Sequence, residues 1–563
     1  PPSECYAQKV VSYSKLDSHD AYFSGIHYSR LGKFLISPYK CYGDEWSAVL
    51  PESGFHFVTL CDLTERRDSP ARTRHFSRPD ELMQFLKHLD LKARSKTVTE
   101  GDDNLGQGGD CGSLAPNFQH TRPRPKHSGL MVFLRGFPSS QWLNYLGAAL
   151  DIDPELFSRH LDVSFGFIPN ASRLDCPYST PFPKTRDLIQ LRVCNTGSWN
   201  TSKSKLTLAA LRESCEASMS LHLEDFIRSR NIAVGDSIVR RFMLHDLHSF
   251  SIEQRISIEV IYHTRTWSIV VWMDSGEDLS RCKSGPWLGQ FAMREMTRFH
   301  PIFQHRSRMA LSSVQNKPDL AFSDRQSTEQ RYPQSIDHIH KNYGSYLKTE
   351  IMAHDAFYAL NELFEFSAAS VDQLLELFEG NIRTTSHNLD TTRISELLIV
   401  KSLVDDYQSY VKDILEIVHA RGSPKWPCTN EPKQREKADR AANQLESRYR
   451  RLLGRCERLL EHCASNITIL MNSETQRQTE KAIEQTDRLS KLSVLAYFYI
   501  PLTFATSFYG MNFRELGNQL SIWTYFVMAI PLLAISLIAW FIDVRSICAL
   551  CWNFLKRTLH LTR

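Results

Sequence analysis

The side chains best suited to chemistry lie near the C-terminal end of the sequence, inside a stretch that carries no charge. Residues 492–509 contain no Asp, Glu, Lys or Arg, yet they place hydroxyl groups at Thr503, Thr506 and Ser507. A helix that carries hydroxyls on one face can line water. Serine and threonine can equally make neutral hydrogen bonds between helices in a membrane. The pattern indicates a partly polar helix in apolar surroundings and leaves both uses open.

Two uncharged runs, 492–509 and 520–542, dominate the last quarter of the chain. A helix of about 20 residues crosses a hydrocarbon core of roughly 30 Å, and an uncharged core helix of that length is unusual in a soluble protein. We therefore predict two transmembrane helices, at 491–509 and 520–542. The loop that joins them, 510–519, is short, so both ends of the protein must lie on one side of the membrane.

The charges around these runs predict the orientation. Arg488 and Lys491 precede the first run, and Arg545, Lys556 and Arg557 follow the second. Because positive residues favour the inner side of a membrane, we expect cytosolic N- and C-termini and a cytosolic tail at 543–563. The plasma membrane is the default location for this two-pass integral membrane protein, and the mitochondrial inner membrane is the alternative.

The part of the chain before these runs predicts a cytosolic α+β domain over 1–345, with disordered loops near 96–128 and 312–335. Helical spacing in 139–163 predicts two helices, the second opened by Asp153 and Pro154. Short apolar segments predict strands. These segments are 57–60, 163–168, 188–193, 238–244, 256–262 and 267–272, and the last two are expected to form a hairpin.

The region 346–490 changes to nearly continuous helical periodicity, ending in a long stalk helix over 436–490. Its apolar residues alternate steps of four and three, and Gly454 and Pro501 alone interrupt the pattern between 436 and 508. The repeat comprises Leu445, Tyr449, Leu452, Cys456, Leu459 and Cys463, followed by Asn466 and Leu470. Such a seven-residue repeat favours a coiled coil, and the alternative is the core of an ordinary helical bundle.

Three carboxylates, Glu480, Glu484 and Asp487, lie one helical turn apart on the predicted stalk. Several copies brought together would create a negative vestibule that concentrates cations. The alternative is that they belong to a solvated helix face, because the stretch around them has too few apolar residues to fix which side is buried.

The remaining composition excludes several function classes. A net charge of +4 over 563 residues gives no argument for nucleic-acid binding. No nucleotide-binding loop, pair of catalytic carboxylates or activated nucleophile stands out, so the sequence does not predict an enzyme. We interpret the His338-Ile339-His340 segment as a polar loop. Cys548 and Cys551 are open to three interpretations, namely simple packing, palmitoylation, and metal or redox chemistry.

One motif connects these features. The segment "PLTFATSFYGMNF", followed by a short loop and one final apolar helix, closely resembles the signature of CorA-type magnesium channels, and "FLRGFPSSQWLNYLGAALDIDPELFSRHLD" resembles the front end of large fungal members. The resemblance implies a funnel-shaped homopentamer that conducts Mg²⁺ passively. It also implies that Gly510, Met511 and Asn512 form the selectivity filter, with one Asn512 amide per subunit binding the hydrated ion. Gly510 would permit the turn that ends the helix, and Met511 would pack to fix it.

The resemblance also implies which residues line the pore. They occupy one helical face below Asn512, with the two leucines as an apolar gate, and they are Leu489, Leu492, Ala496, Ile500, Thr503 and Ser507. In the outer loop, bacterial members usually continue with Met-Pro-Glu-Leu, whereas here the matching residues are 517–520, Gly-Asn-Gln-Leu. The nearest carboxylate is Glu515, so attraction of cations at the mouth is expected to be weaker or displaced.

The implied partners are a divalent cation, a lipid membrane and further copies of the same chain, without nucleic acid and without a cofactor. Magnesium is expected both as the transported ion and as a regulatory ion bound on the cytosolic side. Two alternatives stay open: transport of another divalent ion such as cobalt, nickel or zinc, or a membrane-anchored sensor or scaffold that does not conduct.

Overall fold

The computed structural model describes most of the chain outside several loops and the C-terminal tail. The described residues are 2–16, 24–36, 55–65, 72–86, 129–162, 188–198, 207–228, 232–262, 267–282, 285–287, 298–303, 334–385, 392–511 and 522–541. The predicted strand at 163–168 and both predicted disordered loops lie wholly or mostly outside them.

The helices and strands follow one another in this chain order: α1 (Pro2–Ser14), α2 (Ser29–Ile36), β1 (Val58–Asp62), β2 (Thr73–Phe76), β3 (Gly129–Arg135), α3 (Ser140–Leu150), α4 (Pro154–Leu161), β4 (Leu188–Ser198), α5 (Leu208–Arg228), β5 (Arg241–Leu244), β6 (Ser249–Tyr262), β7 (Trp267–Met273), β8 (Arg298–Phe299), α6 (Ile339–Asn342), α7 (Thr349–Met352), α8 (Ala356–Thr385), α9 (Thr392–His419), α10 (Pro432–Gly510) and α11 (Ile522–Phe541). The chain divides into two compact units. One comprises Pro1–His387 and Leu398–Cys463, and the other comprises Asn388–Leu397 and Ala464–Arg563. The predicted domain boundaries at 345 and 490 stay predictions.

Within the described residues of the first unit, eight strands form one mixed sheet in the order β2-β1-β3-β7-β6-β4-β8, with β5 paired to β6. The centre of the sheet is the parallel pair β3 and β7. Side chains such as Val132 and Trp272 pack with the N-terminal helices in one core, and the alternate side chains, such as Phe133 and Val271, are also fully buried. Strands buried on both faces favour continuous apolar runs, and "WSIVVWM" in β7 is one.

The predicted hairpin is confirmed, since β6 and β7 pair antiparallel from Ile256 and Met273 to Tyr262 and Trp267. The segments 57–60 and 188–193 lie largely in β1 and entirely in β4, whereas the 238–244 segment becomes a strand only from Arg241. The predicted combination of helices with a sheet is confirmed for this region, and its described strands pair antiparallel except for the central pair β3 and β7, which the sequence analysis did not predict. The two strands lie more than a hundred residues apart in the chain, so no local sequence pattern predicts that they pair.

Both helices predicted in 139–163 are present as α3 and α4, and the start of α4 is as predicted. The Asp153 carboxylate accepts a hydrogen bond from the Glu155 backbone N–H at 2.9 Å, and Pro154 occupies the first helical turn. Both features satisfy the free end of a helix. Asp153 therefore marks the start of α4, as its sequence context predicts.

Helices α8 and α9 pack against β4 and β6. The Ser370 hydroxyl accepts from the Cys194 backbone N–H at 3.2 Å, and the Tyr407 hydroxyl donates to the Glu253 carboxylate at 2.8 Å. All four residues are buried. Burial raises the pKa of Tyr407 well above its usual value, so this hydroxyl keeps its proton and remains a donor.

The heptad repeat of α10 packs within its own chain over its first half. The Tyr449 hydroxyl donates to the Phe364 carbonyl of α8 at 3.0 Å, and the repeat residues 445–463 are all 3% exposed or less. Beyond Cys463, the repeat residues Asn466 and Leu470 are only partly buried, and Ile469 and Met471 beside them are more than half exposed. The bundle-core alternative therefore accounts for the repeat up to Cys463, and coiled-coil packing of the remainder stays a prediction.

The interpretation of residues 338–340 as a polar loop is wrong. His338 ends a 3-10 helix, and His340 lies in α6 with only 3% of its surface exposed. Its ring lies 6.4 Å from that of His75, measured between ring centroids. Burial lowers the pKa of His340 to about 2, so this side chain is a neutral component of the core. No cluster of three metal-ligating side chains occurs among the described residues.

A charged network lies at the centre of the first unit, between α4, β6 and β7. The Asp274 carboxylate accepts two hydrogen bonds from the Arg240 guanidinium, both at 2.7 Å. His160 Nε2 lies 3.1 Å from the same carboxylate, and the Trp272 ring stacks on the imidazole with centroids 4.0 Å apart. Burial lowers the pKa of His160 to about 4. The imidazole is therefore neutral at physiological pH.

His160 should make stability fall on mild acidification. An unfolded histidine titrates near pH 6.5, so between pH 6.5 and 4 the unfolded chain binds a proton that folded His160 does not. Stability is then lost as the pH falls through that window, by up to about 1.4 kcal/mol per pH unit. The free energy of unfolding can be measured by urea unfolding of the full chain in detergent at several pH values. Its dependence on pH should be weaker in His160→Asn, by an amount that corresponds to the uptake of about one proton. An identical slope in both proteins would contradict the prediction.

Candidate functional site

The C-terminal segment of α10 has the length and composition of a membrane-spanning helix. Its most apolar 18-residue window has a mean hydropathy of 1.3 and is 6% buried. Low burial separates it from the core helix of a soluble protein, which passes the same test of composition. Helix α11 is apolar but shorter by the same criterion, over Ile522–Ile538. Among the described residues one helix is therefore long enough, and the two-pass topology stays a prediction.

Helices α10 and α11 contact each other through a few specific groups. The Ser536 hydroxyl donates to the Tyr497 carbonyl at 2.9 Å, and the Tyr509 hydroxyl donates to the Thr524 carbonyl at 2.8 Å. These contacts run in opposite directions along the two helices, so the helices pack antiparallel. The sequence analysis assigned no role to Ser536.

The predicted pore-lining residues lie on the side of α10 away from α11. Leu489, Leu492 and Ile500 are 63–66% exposed, and Thr503 and Ser507 are exposed as well. Ala496 is half-buried. At 3.6 residues per turn, this face is roughly opposite the one that contains Tyr497 and the buried residues Pro501 and Ala505. The hairpin therefore leaves the predicted pore face uncovered.

The hydroxyls of this helix bond first to their own backbone. The Thr503 hydroxyl donates to the Ile500 carbonyl at 3.1 Å, and the Thr506 hydroxyl donates to the carbonyls of Leu502 and Thr503 at 3.0 and 2.9 Å. A hydroxyl that donates in this way still has oxygen lone pairs to accept from water. Thr503 can thus present a neutral acceptor to a hydrated ion without leaving its own proton unsatisfied.

The structure describes only the start of the predicted filter. Gly510 is the last residue of α10, and Met511 follows it with 58% of its surface exposed. Gly510 does not adopt a left-handed conformation, and a Cβ there would meet nothing within 4 Å. The expectations that Gly510 permits a turn and that Met511 packs to fix it stay predictions, because the loop after Met511 lies outside the described residues. Asn512 and Glu515 lie outside the described residues.

The three stalk carboxylates are exposed, and two of them pair with a basic residue of the same helix. Glu484 pairs with Arg488 at 2.6 Å, and Asp487 pairs with Lys491 at 2.8 Å. The Glu480 carboxylate accepts from the Gln476 amide at 3.0 Å. Exposed pairs four residues apart contribute little energy, and they also reduce the local negative charge. Within a single chain these residues form a solvated helix face.

Comparison with known protein families identifies the family that the C-terminal part of the chain resembles. Residues 318–545 match the family described as CorA-like Mg2+ transporter protein. These residues belong to the CorA-type family. The matched range includes α6 to α11, the loop with Asn512 and the complete pore face, whereas all eight described strands of the sheet lie before it. CorA-type proteins are membrane-integral divalent-cation transporters rather than enzymes. A search of curated proteins found no match to the chain.

Proposed function

We propose that this CorA-like chain conducts Mg²⁺ passively across a membrane through a pore lined by the α10 helices of a homopentamer. The family match over residues 318–545 supports the proposal best. One hairpin cannot enclose a pore, so several copies are required, and copies related by a rotation axis would each direct the same face inward. The uncovered face with Leu489, Leu492, Ile500 and Thr503 is suited to that position.

The residues of this face and of the loop suit a hydrated divalent cation. Magnesium loses its water reluctantly and prefers octahedral oxygen ligands. A ring of Asn512 amides at the outer mouth can hydrogen-bond to the water shell and release the ion again, which conduction requires. Thr503 then offers a second neutral ring, and Leu489 and Leu492 form an apolar constriction that closes by excluding water.

The proposal includes a topology and a regulatory ion. Both termini lie in the cytosol, 520–542 forms the second membrane helix, and the plasma membrane is the location assumed by default. Magnesium bound on the cytosolic side between subunits closes the channel when the internal concentration is high. Glu515 and the stalk carboxylates Glu480, Glu484 and Asp487 are the candidate cation-attracting groups, and no other cofactor is involved.

Flux through the purified chain tests the proposal. The full chain reconstituted in liposomes that contain a magnesium-sensitive dye should admit Mg²⁺ down its gradient, and protein-free liposomes should not. Parallel assays with cobalt, nickel and zinc determine the preferred ion. Light scattering should report a pentamer. An intact oligomer without flux of any of these ions would overturn the proposal and favour a non-conducting scaffold.

A further inference from the structure

Pro501 leaves one backbone carbonyl of the pore helix without its usual partner. Proline lacks a backbone N–H, so within a helix the carbonyl four residues earlier loses its hydrogen bond. Here that carbonyl belongs to Tyr497 of α10. In hydrocarbon, an unsatisfied backbone group is strongly disfavoured, because water is not available to replace the missing donor.

Helix α11 supplies the missing donor. The Ser536 hydroxyl, which is partly buried, donates to the Tyr497 carbonyl at 2.9 Å. Pro501 itself is buried. A proline in a membrane helix is tolerated where a neighbouring Ser or Thr satisfies the released carbonyl, and Ser536 occupies that position.

A second contact fixes the same alignment of the two helices. The Tyr509 hydroxyl donates to the Thr524 carbonyl, and Tyr509 lies twelve residues after Tyr497 while Thr524 lies twelve residues before Ser536. Both bonds therefore belong to one antiparallel register, about 18 Å long at 1.5 Å per residue. Between them Ala505 and Ala529 are 2% and 3% exposed. Small residues at a helix contact allow close approach.

We propose that Ser536 is a positioning residue for the conduction path. Its bond to the Tyr497 carbonyl holds α10 at the level of Pro501, and Ile500 and Thr503 lie at the same level of the helix but on the exposed pore face. The hydroxyl thus fixes the angular position of Ile500 and Thr503 from a helix that does not line the pore. This inference rests on the proposed function, although the hydrogen bond itself can be tested without flux.

A double-mutant cycle separates this role from general packing. Ser536→Ala should lower both Mg²⁺ flux in liposomes and the melting temperature in detergent, and the flux loss should be about threefold to tenfold, as for an interhelical hydrogen bond. Pro501→Ala restores an N–H at position 501, which satisfies the Tyr497 carbonyl within α10. In that background, Ser536→Ala should change neither quantity. An equal loss in both backgrounds would overturn the inference.

Two further variants of position 536 provide a matched control for shape. Ser536→Thr keeps the hydroxyl. Ser536→Val introduces a side chain of nearly the same volume as Thr but without the hydroxyl. We expect Thr to retain flux and melting temperature and Val to lose both, a comparison that does not depend on Pro501→Ala assembling. Equal behaviour of Thr and Val would refute the role of the hydroxyl. If the wild-type pentamer does not conduct, the proposed function fails, while the melting cycle still decides whether the bond exists.

Discussion

Asn512→Ala should reduce Mg²⁺ flux through the reconstituted pentamer by at least about tenfold. Each subunit would lose one amide that hydrogen-bonds to the water shell of the ion, and a hydrogen bond to a charged species is worth about 1.5 kcal/mol or more. A loss of that size at one ring already corresponds to about a factor of ten. The oligomer should persist, because the substitution removes a polar group from the loop and leaves the packing of α10 against α11 unchanged.

Asn518→Ala is the matched control for this prediction. It removes the same side chain from the same loop, six positions later, and we expect its flux to stay within about a factor of two of the wild type. The dye assay in liposomes measures both variants, with light scattering to verify the pentamer. Unchanged Mg²⁺ flux in Asn512→Ala would remove the filter assignment, even if the wild-type chain conducts.

The features that sequence predicts well depend on neighbours in the chain. The β6 and β7 hairpin is set by two apolar runs and a short connection, and the start of α4 is set by Asp153 and Pro154. The burial of Leu445 and Cys463 follows from spacing alone, because a helix places residues three and four apart on one side. Each of these patterns contains its whole physical cause within a few dozen residues.

Other features depend on partners far away in the chain. The parallel pairing of β3 with β7 joins strands more than a hundred residues apart, and "GLMVFLR" gives no sign of its partner. His340 looks polar in sequence because its burial is determined by groups such as His75. The role of Ser536 was hidden for the same reason. Pro501 predicts that the Tyr497 carbonyl needs a donor, but only the packing of α11 identifies which hydroxyl supplies it.

For the candidate pore face, sequence periodicity predicts which residues share a side of the helix but not what lies against them. Periodicity places Leu489, Leu492, Ile500 and Thr503 on one face, and the structure leaves that face uncovered by α11. Periodicity does not state what covers the face, because lipid, water and a second copy all fit an uncharged surface with few hydroxyls. The number of copies and the identity of the ion are therefore questions for the reconstituted protein.

Asp274→Asn should be among the most destabilising single substitutions in the first unit. Asp274 is fully buried, and it accepts both hydrogen bonds from Arg240 and one from the Arg255 backbone N–H at 2.6 Å. Burial opposes its ionisation, yet the charge and the hydrogen bonds of Arg240 hold the pKa of Asp274 well below its usual range. The amide keeps the shape and removes the charge, so the Arg240 guanidinium stays buried without a counter-ion.

Removing one partner of a buried ion pair costs about 3 to 5 kcal/mol, which is a large share of the stability of a typical domain. Glu436→Gln is the control, because Glu436 pairs with Arg440 on the exposed surface of α10, where such a pair contributes less than about 1 kcal/mol. Pulse proteolysis of the full chain in detergent across a urea series measures both. If Asp274→Asn shifts the urea midpoint of unfolding as little as the control does, water must reach the Arg240 guanidinium. With Arg240→Met added, part of the lost stability should return, because the double variant no longer buries an unpaired charge.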